Sequence, residues 1–316
     1  MESPAWAGAV LELDHVSKSF GRVTVADDLC LDVRGDEIVG VVGPNGAGKT
    51  SLFSIISGDL APGHGRVVFG GQVVNGLDAA TRCRLGIGRT YQVPRPFERL
   101  TIFENVLVAA QAGAGLHRRL AYERAYSVLE ETGLAGEANR HAGQLGLLGR
   151  KRLELARALA TGPRLLLLDE VAAGLTDPEV DELIAIVRRA RDSPASGEYV
   201  AVIWVEHVVR ALASTVERLI CLDEGAIIAD GRPEEVLADP RVKEVYLGTE
   251  GPPPAGESPG QDAVQSPSQN QSQGPVQGRV QATVEGSVQG RVQGTVEGSV
   301  QGPIGDGARR TVPEAR

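Results

Sequence analysis

Eight residues, Gly43-Pro44-Asn45-Gly46-Ala47-Gly48-Lys49-Thr50, constrain this chain more than any other stretch. They fit the phosphate-loop pattern of a Gly, four residues and then Gly-Lys-Thr. The apolar run Glu37–Val42 precedes them and reads as a strand. Leu52, Phe53, Ile55 and Ile56 follow at helical spacing. In such a strand-to-helix turn, Gly46 and Gly48 let the backbone curl so that successive N–H groups face inward as an anion nest. The helix N-terminus adds unpaired donors and a positive dipole end, which suits phosphate. Lys49 then reaches the β- and γ-phosphates, and the Thr50 hydroxyl sits on Mg²⁺. The segment Gly43–Ser51 is therefore the candidate site for a nucleoside triphosphate, and the fold around it is expected to be α/β.

The rest of the chain narrows the class. Its 316 residues hold one large domain or two small ones, and they are 42% hydrophobic but only 4% aromatic. No apolar run reaches the roughly 18 residues that span a bilayer. The N-terminal residues do not have a signal peptide's charged-then-apolar layout. The net charge of −9 speaks against a protein that coats nucleic acid, and no nucleic-acid partner is expected. Cys30, Cys83 and Cys221 are scattered, without metal-ligand spacing, which fits reduced thiols in a cytoplasmic protein.

Taken in order, Val10–Phe20 and Thr24–Val33 read as strands joined at Gly21. The phosphate-loop strand and helix follow, and Gly65–Val74 then reads as a hairpin over the same sheet. From Thr101 to Thr132 the apolar spacing turns helical, and a further helix runs from about Arg150 to Ala160. Leu165–Leu168 and Val200–Val205 are continuous apolar runs, as expected of strands buried on both faces of a parallel sheet. A strand pair around Gly225 and two short helices complete this part, the first helix with Pro233 at its start. At Thr249 the composition breaks to Gly, Pro, Ser and Gln. Val276–Ser287 (VQGRVQATVEGS) is then repeated almost unchanged from Val288. Valine at every fourth position suggests a helix, but each interleaved Gly costs about 0.8–1.0 kcal/mol against Ala there. So little apolar bulk cannot offset the ordering entropy. The reading is an ATPase domain over 1–248 and a disordered tail over 249–316, with a partner-binding segment as the alternative.

Five residues outside the phosphate loop bear on the chemistry. Asp169-Glu170 ends an apolar strand, where open α/β sheets place ligands. An Asp there holds Mg²⁺ and the adjacent Glu polarises the attacking water. Gln92, in GRTYQVPRPF, is either a generic loop residue or a group that touches the metal or the water. His207 ends the last buried strand and is either structural or a donor to the γ-phosphate. Phe20, upstream of the loop, is either a core aromatic or a platform for adenine.

GPNGAGKT, Gln92, the LELARALA helix, LLLLDE, the Gly174-Leu175 turn and His207 occur in the order found in ATP-binding cassette (ABC) ATPases, which the chain resembles over about 10–248. RTYQVPRPFERLTIFENVLVAA and the ending VYLG resemble the ATPase subunits of branched-chain amino-acid importers. The resemblance implies a RecA-like P-loop NTPase core with an antiparallel β-subdomain and an α-helical subdomain over about 94–148. It assigns Phe20 to adenine stacking, Gln92 to the Q-loop, Asp169 to the metal, Glu170 to catalysis and His207 to the switch. ATP and Mg²⁺ are the implied cofactors. The implied location is the inner face of the cell membrane. The implied partners are integral-membrane permeases, a sister ABC ATPase and, indirectly, a solute-binding protein.

The chain departs from the family at the signature, Leu-Ser-x-Gly-Gln, where it has Leu145-Gly146-Leu147-Leu148-Gly149-Arg150-Lys151. Gly146 replaces the Ser and Leu148 the Gly. Gly149, the helix N–H groups or Arg150 are the available substitutes. Thr176 stands where the family carries Asp or Asn. Each signature serves the partner's nucleotide, so a heterodimer with an ATPase of intact signature is expected. Two rival readings are a soluble ATPase serving another machine and a regulatory subunit without transport. A third keeps the importer but changes its cargo to urea or short amides.

Overall fold

A computed structural model describes residues 9–192, 199–206, 212 and 215–249. The expected tail lies outside them except for Thr249, which ends the last helix. Two sheets organise the described part. The first is antiparallel, with β1 (Ala9–Phe20), β2 (Val23–Arg34), β4 (His64–Phe69) and β5 (Gln72–Val73) in the order β2-β1-β4-β5. The second runs β10-β9-β3-β8-β7-β6. It is built from β3 (Ile38–Val42), β6 (Ile87–Arg89), β7 (Leu165–Asp169), β8 (Ala201–Val205), β9 (Arg218–Asp223) and β10 (Ala226–Gly231). Its strands are parallel except β10, which pairs antiparallel with β9.

The hairpin expected around Gly65–Val74 forms, but it belongs to the first sheet, against β1, and not to the sheet of the phosphate-loop strand. Gly70 and Gly71, both at positive φ, make its two-residue turn.

Strands β3, β7 and β8 are buried at every position, as their continuous apolar sequences require. Their alternate residues enter two different cores. Val39, Val41, Leu165, Leu167 and Ile203 meet Leu52, Phe53, Ile55 and Ile56 of α1 (Lys49–Ser57), together with the inner face of the first sheet. Ile38, Val42, Leu166, Leu168, Val202 and Trp204 face the other way. That second core also takes residues from α3 (Ile102–Ala112), α4 (Arg118–Glu131), α5 (Leu147–Ala160) and α6 (Asp177–Asp192).

The helical stretch expected over 101–132 is thus two helices. Gly113 caps α3, and Gly115, at φ +66°, turns the chain towards α4. Helix α5 starts at Leu147, three residues before the sequence expectation. Three elements had no sequence assignment: α6, the short helix α2 (Ala79–Leu85) and the three-residue strand β6. After β10 come α7 (Pro233–Ala238) and α8 (Pro240–Thr249).

Candidate nucleotide site

Helix α1 begins at Gly48, which sits in the left-handed region at φ +101° and offers no side chain to cap the first turn. The N–H groups of that turn are therefore left for an anion. The loop that leads to it is held from both sides. The Gly225 amide donates to the Ala47 carbonyl, and the Asp27 amide donates to the Gly225 carbonyl, so the β9–β10 turn stitches the loop to β2. A Cβ on Gly48 would lie 2.6 Å from the Val25 carbonyl oxygen, and one on Gly43 would lie 2.2 Å from that of Leu222. Side chains at those two places would push the loop off the sheet. Asn45 and Gly46 are exposed, Pro44 and Ser51 half-buried, and Thr50 is exposed at the first turn.

Lys49 is 7% exposed. Its ammonium donates to the carbonyls of Gly43 (2.6 Å) and Pro44 (2.9 Å) and so closes the loop on itself. Burial lowers its pKa, and the nearby carboxylates of Glu170 and Asp169 oppose that shift. An ammonium held inside a loop of inward amides is the arrangement a polyphosphate chain needs.

Asp169 ends β7 beside this loop and is 6% exposed. Burial raises its pKa, while the Arg89 guanidinium pulls it back. Arg89, at the end of β6, places Nη2 3.3 Å from Asp169 Oδ2. Its Nη1 donates to Asp59 Oδ2 and Ser57 Oγ, each at 3.0 Å. The guanidinium lies against the rings of Phe53 and Tyr91. One cation thus joins α1, the acidic strand end and the segment that carries Gln92. Thr90 Oγ1 accepts from the Asp169 amide and completes the seat.

Glu170 follows at φ +47°, a conformation that side chains other than Gly rarely adopt. Its amide donates to the Val205 carbonyl, its carboxylate accepts from Gln92 Nε2, and its carbonyl accepts from Lys151 Nζ at 2.9 Å. The structure therefore brings Gln92, Asp169 and Glu170 together at the ends of β6, β7 and β8. His207 lies outside the described residues. Glu206, immediately before it, is 1% exposed and accepts from the Ala172 amide (2.6 Å) and from Trp204 Nε1. Burial raises its pKa. Phe20 is exposed at the tip of the β1–β2 hairpin, with the Lys18 ammonium 5.3 Å from its ring centre.

Asp169 and Thr50 are hard oxygen donors of the kind Mg²⁺ takes. Among the described residues no group of three or more His, Cys, Asp or Glu could hold a metal by itself.

At the signature, Gly146 caps α5 without a side-chain hydrogen bond, and Leu147 is exposed in the first turn. Arg150, a candidate substitute for the missing polar groups, is turned back on its own loop. Its guanidinium donates to the carbonyls of Leu145 (3.0 Å) and Gly143 (3.2 Å). Thr176 donates its amide and hydroxyl to Glu179 and starts α6. Lys151 and Glu206, both buried, and the half-buried Arg89 are site residues that the sequence did not single out. The only local signal was a charged residue inside an otherwise apolar or motif stretch.

Residues 26–173 match the profile of the ABC transporter family, and residues 226–252 match that of the branched-chain amino acid ATP-binding cassette transporter. The chain is 36% identical over 253 residues to the high-affinity branched-chain amino acid transport ATP-binding protein BraF of Pseudomonas aeruginosa. That alignment covers 76% of this chain and 98% of the relative. LivG of Escherichia coli, a protein of the same description, is 34% identical at the same coverage. The lipopolysaccharide export system ATP-binding protein LptB of Haemophilus influenzae is 34% identical over 240 residues. Among solved structures, the ADP conformation of MJ1267, an ATP-binding cassette of an ABC transporter, superposes with a TM-score of 0.67 at 27% identity. It covers 76% of this chain and 99% of that one.

Proposed function

The chain belongs to the ATP-binding cassette family of ABC transporters, and from that premise we propose that it is the ATP-hydrolysing subunit of an importer for branched-chain amino acids. The observation that carries the reading is that Lys49, in the phosphate loop, stands within electrostatic reach of Asp169 and Glu170, with Gln92 bonded to the Glu170 carboxylate.

Phosphoryl transfer asks the protein for positioning and charge neutralisation more than for covalent chemistry. The amides of 46–50 and the Lys49 ammonium bind the β- and γ-phosphates. On binding, Lys49 exchanges the carbonyls of Gly43 and Pro44 for phosphate oxygens. Thr50 and Asp169 would hold Mg²⁺, which when bound neutralises charge between the β- and γ-phosphates. Glu170 orients the attacking water and takes its proton, with Gln92 fixing the carboxylate. Phe20 offers its exposed ring to adenine, and His207 is assigned the γ-phosphate contact.

Subunits of this family in importers work with membrane permeases. No described helix is long and apolar enough to cross a membrane. The names of the relatives BraF and LivG, ATP-binding proteins of branched-chain amino acid transport, support a place at the inner face of the cell membrane, below its permeases, with a solute-binding protein acting from the other side. A cleft of about 320 Å³ supports this docking. Cys83, Phe97, Val108, Ala112, Arg157 and Thr161 line it, between α2, α3 and α5. Phe97 lies five residues beyond Gln92, so a permease segment seated there would press on the segment that touches Glu170. The unconventional signature supports pairing with a sister ATPase, because Gly146 and Leu148 bring no polar side chain and Arg150 is engaged by its own loop.

The test is Glu170→Gln. Turnover should fall by roughly 10²–10⁴-fold while ATP binding is retained. Undiminished turnover would remove Glu170 from the mechanism.

A further inference from the structure

Lys151 is 3% exposed, in the second turn of α5. Burial lowers the pKa of its ammonium, and the carboxylates of Glu206, Glu170, Asp169 and Glu154 act against that. Its hydrogen-bond partners are two main-chain carbonyls, that of Gln92 at 3.0 Å and that of Glu170 at 2.9 Å. Since the Gln92 amide also donates to the Glu170 carboxylate, the three residues form a closed triangle. Burying an ammonium costs several kcal/mol, and an apolar side chain of similar volume often stabilises a fold more. Stability alone therefore does not account for a lysine at this place.

Helix α5 holds the Gln92 segment at two further points, Glu154 and Arg157, each three residues beyond the last. Arg157 donates to the Arg95 carbonyl at 2.9 Å, and Glu154 accepts from the backbone of Arg95 and Tyr91. Helix α5 is also the helix whose first turn carries the signature position. Lys151 thus joins that helix to Gln92 and to Glu170, the residue at positive φ.

We propose that Lys151 is a positioning residue for hydrolysis, fixing Gln92 and Glu170 against one another and tying both to α5. The proposal rests on the assignment of Glu170 to the hydrolytic step. Lys151 does not touch the reacting atoms. It sets where the Glu170 backbone, and hence its carboxylate, stands relative to the phosphate loop.

Lys151→Met keeps the length of the side chain and removes both hydrogen bonds. In the full-length chain, hydrogen exchange should quicken over 91–97 and 169–173 and stay unchanged in β3 and β8. In the complex that purifies with the chain, kcat should fall by roughly 10²-fold. The ATP dissociation constant should stay within about twofold, since the phosphate loop is untouched. In a Glu170→Gln background the same change should cost no more than about threefold, because both act on one group. Unaltered exchange over those two segments would overturn the proposal. So would faster exchange throughout the chain, which would make Lys151 a packing residue, or losses that multiply in the double variant. If Glu170→Gln alone leaves turnover unchanged, the catalytic assignment fails, and the exchange experiment still decides whether Lys151 holds the two segments.

Discussion

At the scale of single residues, the charged groups divide by how they meet their partners. Glu206 is the sharpest case. Its buried carboxylate takes the amide of Ala172 and so pins the turn that follows Glu170. Burial raises its pKa above the ordinary 4.5. A raised carboxylate favours the folded state fully below its unfolded pKa, and that contribution is lost as pH rises through the folded pKa. At neutral pH the charged form is the costly one. Glu206→Gln keeps an acceptor for Ala172 and removes the charge. Its melting temperature should exceed that of the wild type at pH 8, and the two should converge towards pH 4.5. Parallel melting curves across that range would contradict the assignment. Residues of this kind were hidden in the sequence because their partners are distant along it. Arg89 meets Asp169 across 80 positions, Lys151 meets Gln92 across 59, and Glu206 meets Ala172 across 34. The phosphate loop was legible for the opposite reason. Its glycines, lysine and threonine fall within eight consecutive residues, and Lys49 bonds the carbonyls of Gly43 and Pro44 inside the same loop.

At the scale of elements, caps and periodicity explain most of what forms. Helix α3 opens on a capping box, with the Glu104 amide donating to Thr101 Oγ1 at 3.1 Å and the Thr101 amide donating to Glu104 Oε2 at 2.8 Å. Thr101→Ala should cost about 1 kcal/mol, read as a lowered midpoint in urea with an unchanged slope. An unchanged midpoint would mean that packing alone holds the helix start. The buried strands β3, β7 and β8 were legible because each is a continuous apolar run. Strand β6 was not, because three residues are too few to show a period. Its place is set instead by Gly86, which caps α2 at φ +110° and turns the chain directly into the sheet. The start of α5 was also misplaced. Gly146, Leu147 and Leu148 carry no capping side chain to mark it, and the helix runs up to Gly146 without one.

At the scale of the whole molecule, the two sheets and the helices on the far side of the larger one place the phosphate loop, Gln92, Asp169 and Glu170 at one edge of the parallel strands, while Phe20 stands at the tip of the β1–β2 hairpin. An unconventional signature opens α5, and an apolar cleft lies between α2, α3 and α5. The chain purified alone would carry that signature at both of its shared sites. Its ATP turnover should therefore be slower than that of the same amount of chain paired with its sister ATPase. Equal rates would mean that Gly146, Leu148 and Arg150 serve the partner's nucleotide as well as the usual residues do. The central claim, that this is the ATPase of a membrane importer, is tested most directly by purifying the full chain from gently solubilised native membranes and identifying what accompanies it. The account predicts two multi-span permeases and a second ATP-binding cassette subunit in stoichiometric amounts. Recovery without any membrane-spanning partner would contradict it.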